Sequence, residues 1–135
     1  MRAEAAWNAW FTRVWEGQSA PVMIDPGEGP GRVGSVRTVR RFGMTERIVS
    51  AGVPCPSSQP DSIPSISYTL EFFAASSHLG FVRFVPTGPE QEATLVVWGV
   101  KWTPSLSGRL LFLNGHLLVR MLKPAIKQAL NDLDG

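Results

Sequence analysis

The strongest constraint on the fold is a run of alternating apolar and polar residues that recurs along the middle of the chain. Residues 66–72 and 93–103 alternate with a period of two, and residues 80–86 form another apolar strand pattern between turn signals at residues 76–78 and 86–89. In the last stretch five residues share one face: Thr94, Val96, Trp98, Val100 and Trp102. The pattern is typical of half-buried strands and predicts an antiparallel sheet.

Two earlier stretches, residues 32–41 and 43–51, predict a β-hairpin whose loop is centred on residues 41–42. This register pairs Arg37 with Glu46 on the inner face of the sheet. An ion pair among apolar neighbours is tolerated only if its two members satisfy each other. The alternative is a solvent-exposed pair without consequence.

Helical periodicity marks both ends of the chain. Residues 3–15 place Trp7 and Trp10 on one stripe, which predicts a helix with a buried aromatic face; the alternative is a stacking platform for nucleotides or sugars. A short strand is predicted at residues 20–25, which brings the total to six. Residues 106–133 return to the helical period and are apolar nearly all round, so this helix requires cover on both sides.

Composition excludes several classes of protein. The 135 residues correspond to one domain, residues 1–135, and a net charge of +2 is a weak footprint for nucleic acid. Cys55 is the single cysteine, so no intramolecular disulfide can form, and no metal or cofactor is expected. Gly29–Gly34 match G-x-G-x-x-G, but a strand pattern follows where dinucleotide binding requires a helix. Without a secretory signal the expected location is the cytoplasm.

Five short motifs follow one another along almost the whole chain: Ala6-Trp7, Gly31-x-x-Gly34-x-x-Arg37, Glu46-Arg47-Ile48-Val49, Ile66-Ser67-Tyr68 and Ala93-Thr94-Leu95-Val96-Val97-Trp98. In this order they resemble the START-like helix-grip superfamily (SRPBCC), in particular its polyketide cyclase/dehydrase and lipid-transport type members. The resemblance implies an α+β fold in which one curved antiparallel sheet of about six strands wraps around a long C-terminal helix. The sequence begins with the first helix already under way, so the family's first strand, which precedes that helix, is either missing or was left out of the sequence; without it, residues 93–103 would form an open sheet edge.

The resemblance also implies a deep apolar cavity between the sheet and the C-terminal helix, used for small hydrophobic ligands such as lipids, aromatics or polyketide-like molecules. The residues themselves support such a cavity, because four aromatic side chains on the sheet face Met121 of the helix and are difficult to pack without a gap: Tyr68, Phe72, Trp98 and Trp102. The polar groups expected to orient a ligand are Arg37, Glu46, Tyr68 and Asn114. The alternative is a solid core in which these groups satisfy one another.

Two other functions remain open at this point. The chain has no recognisable catalytic motif, but a cyclase/dehydratase-type enzyme could use Glu46 as a base, with Arg37 and Tyr68 polarising a carbonyl oxygen. His78 and His116 are expected at the surface or rim. An interaction module would bind a second copy through the open sheet edge, or a membrane surface through the last helix. The expected partners are therefore a small hydrophobic molecule, a second copy or a membrane surface, and no nucleic acid.

Overall fold

The computed structural model describes residues 1–17, 22–39, 43–54, 63–71, 75–107 and 115–134, without the side chains of residues 39, 115–119, 121 and 122. In chain order its elements are helix α1 (Ala3–Trp10), a π-helical segment (Phe11–Trp15), strands β1 (Val22–Asp25), β2 (Val36–Val39), β3 (Met44–Gly52), β4 (Ser65–Glu71), β5 (Ala75–Thr87) and β6 (Ala93–Pro104), and helix α2 (Gly115–Asp134). The chain is α+β, as its sequence predicts.

The six strands form one open antiparallel sheet in which each strand pairs with its neighbours in sequence, in the order β1 to β6. The predicted register of the hairpin is confirmed, since Arg37 pairs with Glu46 and Val39 with Met44. β2 begins two residues after Gly34, so a strand and not a helix follows the glycine motif. On this described hairpin, Arg37 and Glu46 therefore lie together on the face that the alternation assigned to them.

One strand is longer than its sequence pattern predicts. β5 begins at Ala75, so the turn predicted around residues 76–78 is wrong. Ser77 pairs with Thr103, and the Ser76 hydroxyl donates to the Thr103 carbonyl over 3.3 Å. The pairing with β6 overrides the turn preference of the two serines, because strand propensity depends strongly on neighbouring strands.

The core lies between the inner face of the sheet and the N-terminal helix. Trp7 and Trp10 are 2% and 1% exposed, which confirms the predicted aromatic core and excludes an accessible stacking platform. The Trp7 indole donates to the Ser65 carbonyl over 3.1 Å, and the Trp15 indole donates to the Ser35 hydroxyl over 2.9 Å. These bonds fix the N-terminal helical segment on the sheet and satisfy the indole N–H groups of Trp7 and Trp15, whereas the buried Trp10 N–H has no partner among the described residues.

Helix α2 packs against the π-helical segment and α1. Leu133 is buried in the core, and the Arg13 guanidinium donates to its carbonyl over 2.8 Å. Whether the sheet wraps around α2 stays a prediction, because Asn114 and the Met121 side chain lie outside the described residues. In the part of the chain that is described, neither helix combines the length and the apolar character that a membrane span requires.

Candidate functional site

A group of polar and aromatic side chains lies on the inner face of the sheet, one or two from each strand between β2 and β6. Its members are Arg37, Glu46, Tyr68, His78, Trp98 and Trp102. Cross-strand pairing sets their positions, since Arg37 lies opposite Glu46, Tyr68 opposite Gly80, and His78 opposite Trp102. We call this group the inner polar cluster.

Tyr68 occupies its place because Gly80 has no side chain. A Cβ atom on Gly80 would lie 2.2 Å from Cζ of Tyr68, so the phenol ring lies directly over the glycine backbone. From there its oxygen reaches the Trp98 indole, which donates a hydrogen bond over 2.9 Å. The oxygen is an acceptor in this bond, and the hydroxyl proton of Tyr68 has no acceptor among the described residues.

His78 is the functional candidate that the sequence did not predict. It is 7% exposed, its ring centroid lies 6.0 Å from that of Tyr68, and the expectation that it lies at the surface is wrong. Its Nδ1 atom is buried and makes no hydrogen bond with any described residue. The signal that could have found it is the alternation of β5 extended backwards from Gly80, which places His78 on the inner face.

Burial shifts the protonation of both groups in the direction of the neutral form. It raises the pKa of the Tyr68 phenol, helped by the negative charge of Glu46 and opposed by the Trp98 hydrogen bond and the Arg37 charge. Burial lowers the pKa of His78, although Glu46 and the residue's own backbone act in the opposite direction. At neutral pH the site therefore contains a phenol that can donate and an uncharged imidazole.

Arg37 and Glu46 form a largely buried ion pair, with side chains 12% and 13% exposed. Arg37 Nε donates to the Glu46 carboxylate, and Nη1 donates to the carbonyls of Val14 and Trp15 over 3.0 and 2.9 Å. The guanidinium also stacks 4.1 Å from the Trp15 ring centroid. Arg37 thus ties the hairpin to carbonyls at the end of the π-helical segment, where a cation is favourable. The solvent-exposed alternative is wrong.

The structure brings together five of the eight residues predicted to bind a ligand: Arg37, Glu46, Tyr68, Trp98 and Trp102. Phe72 and Asn114 lie outside the described residues, and for Met121 only the backbone in α2 is described. Among the described residues no group of three or more His, Cys, Asp or Glu side chains could hold a metal ion.

A separate pocket of about 500 Å³ lies between the start of β6 and the end of α2. Its wall includes Met1, Thr94, Val96 and Leu133, and the Thr94 hydroxyl donates to the Met1 carbonyl over 2.7 Å. None of the described members of the inner polar cluster borders this pocket. Its volume is in the range of small-molecule sites, but its position is distinct from the one that the sequence predicts.

No family model, no curated protein and no solved structure matches this chain.

Proposed function

We propose that the protein binds or carries a small hydrophobic ligand, such as a lipid, an aromatic or a polyketide-like molecule, against the inner face of the sheet. Trp98 and Trp102 would contact its apolar part, and Tyr68 and His78 its polar group. The C-terminal helix would close the cavity, as the resemblance to the START-like helix-grip superfamily (SRPBCC) implies. The single observation that carries the proposal is a pair of buried polar groups with unused hydrogen-bonding capacity, the Tyr68 hydroxyl proton and His78 Nδ1.

Leaving such groups unpaired has an energetic cost. A buried donor or acceptor without a partner costs about 1–3 kcal/mol, and the low local dielectric that makes it costly also strengthens any bond that it later forms. Tyr68 and His78 lie on adjacent strands with ring centroids 6.0 Å apart. A single oxygen-bearing ligand could therefore contact both groups.

The charges of the cluster favour a neutral ligand. The Arg37 guanidinium is engaged by Glu46 and by two helix carbonyls. Glu46 is also close enough to influence the protonation of Tyr68 and His78. A carboxylate ligand would meet this negative charge without a free cation among the cluster's described side chains to offset it. We therefore assign the polar group as a hydroxyl or carbonyl oxygen.

A matched pair of probes tests the proposal, 1-naphthol and naphthalene, which differ by one hydroxyl. Binding is followed through quenching of tryptophan fluorescence, because Trp98 lies beside the site. The wild-type protein should prefer 1-naphthol by about fivefold, since one hydrogen bond contributes roughly 1 kcal/mol. Tyr68→Phe and His78→Leu should each reduce this preference while leaving naphthalene affinity nearly unchanged.

Leu79→Ala provides the control, because Leu79 is adjacent to His78 in sequence but 39% exposed on the opposite face. This variant should keep the preference for 1-naphthol. The proposal is wrong if the wild-type protein binds neither probe, or if the preference persists in both Tyr68→Phe and His78→Leu.

A second candidate function, an enzyme of the cyclase/dehydratase type, is favoured by the protonation state of His78. An imidazole kept neutral by burial beside a phenol donor is suited to remove a proton next to a ligand carbonyl, with Tyr68 stabilising the enolate oxygen. Glu46, the base that the sequence suggests, is held by Arg37. Catalysed exchange of the α-protons of 1-tetralone in D₂O, lost in His78→Gln, would support this function. Exchange at the uncatalysed rate would exclude this enzymatic function and leave ligand binding as the proposed function.

A further inference from the structure

β6 is a long and regular strand at one edge of the described sheet. Its twelve residues correspond to about 40 Å of backbone. From Ala93 to Lys101 its pairing with β5 runs without a bulge. Lys101 is the one charged residue of the strand, and its proline, Pro104, is the last residue. Outside its last four residues, which contain Lys101 and Pro104, the strand lacks the features that normally prevent an edge from pairing with another strand.

The opposite edge of the sheet has the protection that β6 lacks. β1 is four residues long, its pairing with β2 is irregular between Met23 and Asp25, and it ends on the charged Asp25. Short length, irregular pairing and charge are the usual means of blocking an edge. This contrast singles out β6 as the edge able to accept a further strand.

We infer that β6 pairs with β6 of a second copy of this chain, antiparallel and around a two-fold axis at Val97. Paired residues in an antiparallel sheet point to the same face, so such an axis must pass through one residue of the strand and its copy. An axis at Val97 lies close to the middle of the strand. Pairing about this axis would join the six-stranded sheets of the two copies into one sheet of twelve strands.

Side chains on the outer face select this axis among its neighbours. With Val97 on the axis, Leu95, which is 55% exposed, lies opposite Gly99 of the second copy. There the Phe81 ring covers the glycine: a Cβ atom on Gly99 would lie 2.3 Å from Cζ of Phe81. Leu95 thereby gains an aromatic neighbour in place of water.

Charge supports the same register. Lys101 lies opposite Ala93 of the second copy, next to the turn that carries Glu90 and Glu92, where the Glu92 carboxylate accepts a hydrogen bond from the Glu90 N–H over 3.0 Å. By symmetry this contact occurs twice. Moving the axis to Trp98 or Gly99 places Lys101 opposite Leu95 or Val97 instead and separates the charges. A second copy is thus complementary to β6 in both charge and apolar surface.

Cysteine cross-linking tests the axis directly in the full-length chain, on a Cys55→Ser background that removes the native thiol. Val97→Cys should form a covalent dimer under mild oxidation, since residues facing each other across a strand pair have Cβ atoms about 4.5–5.5 Å apart. Leu95→Cys is the matched control on the same strand and face. Its two copies would lie about 13 Å apart and should not cross-link.

The oligomeric state gives an independent test by sedimentation velocity. The wild-type chain should be dimeric, and Val97→Lys should make it monomeric because two lysines would face each other on the axis. Val49→Lys is the control, because Val49 is 41% exposed, like Val97 at 40%, but lies on β3, which has a neighbouring strand on each side. This variant should remain dimeric. A monomeric wild-type protein, or equal cross-linking of the two cysteine variants, overturns the inference. Neither result affects ligand binding on the inner face.

Discussion

Gly80→Ala is the substitution that most sharply tests the arrangement of the inner polar cluster. The added Cβ atom would lie 2.2 Å from Cζ of Tyr68 and 2.6 Å from its two Cε atoms. Tyr68 is 6% exposed and held by Trp98, so its ring cannot move aside freely. We expect the ring to be displaced and the hydrogen bond to be lost.

The expected cost follows from three contributions. Overpacking a buried site costs about 1–3 kcal/mol, and loss of the hydrogen bond about 1 kcal/mol. Replacing glycine by alanine within a strand returns about 0.5–1 kcal/mol. The free energy of unfolding should therefore fall by about 2 kcal/mol.

Urea denaturation followed by circular dichroism measures this change, and a double-mutant cycle with Tyr68→Val isolates its cause. Without the ring, Gly80→Ala should be neutral or slightly stabilising, so the two substitutions should be coupled by about 2 kcal/mol. Additive effects would refute the placement of the Tyr68 ring over Gly80.

Gly99→Ala supplies the matched control. Its Cβ atom would lie 2.3 Å from Cζ of Phe81, nearly the same approach, but Phe81 lies on the outer face and is only partly buried. In the monomeric Val97→Lys background, where no second copy covers this face, the ring can turn towards solvent beside the Arg83 side chain, so the cost should stay below about 1 kcal/mol. A cost equal to that of Gly80→Ala would show that close approach alone, without confinement of the ring, determines the effect.

Two further predictions concern the charged and titratable groups of the cluster. Arg37→Met should lower the free energy of unfolding by about 3–5 kcal/mol, because it leaves the buried Glu46 unpaired. Adding Glu46→Leu should recover part of this loss in the same denaturation assay, and an equal or larger loss in the double variant would contradict the account. Burial lowers the pKa of His78 in the folded state, so the unfolded chain takes up a proton first as the pH falls below about 6.5. The free energy of unfolding should therefore decrease as the pH falls below about 6.5, and this decrease should level off below the pKa of His78 in the folded state. His78→Gln should abolish this pH dependence, whereas His116→Gln should retain it.

Local alternation was sufficient to predict most of the sheet from the sequence. It gave the inner face of β6, the register of the hairpin and the pairing of Arg37 with Glu46. These features depend on period-two patterning and on loop length, both of which are properties of neighbouring residues. The buried face of α1 was predictable for the same reason.

Contacts between distant segments were not predictable in this way. The carbonyls that bind Arg37 belong to residues 14 and 15, more than twenty positions away, and no local pattern indicates them. His78 was misplaced because Ser76 and Ser77 favour turns locally, whereas pairing with β6 extends the strand through them. Gly80 carries no sequence signal for the ring that covers it.

The central claim, that Tyr68 and His78 bind the polar group of a ligand, is tested most directly by the imidazole nitrogen resonances of His78. The chain has two histidines, so a His116→Gln variant assigns them in a long-range ¹H–¹⁵N spectrum. Addition of 1-naphthol should shift the Nδ1 resonance of His78, and naphthalene should shift it much less. Binding of 1-naphthol without a change at Nδ1 would contradict the claim.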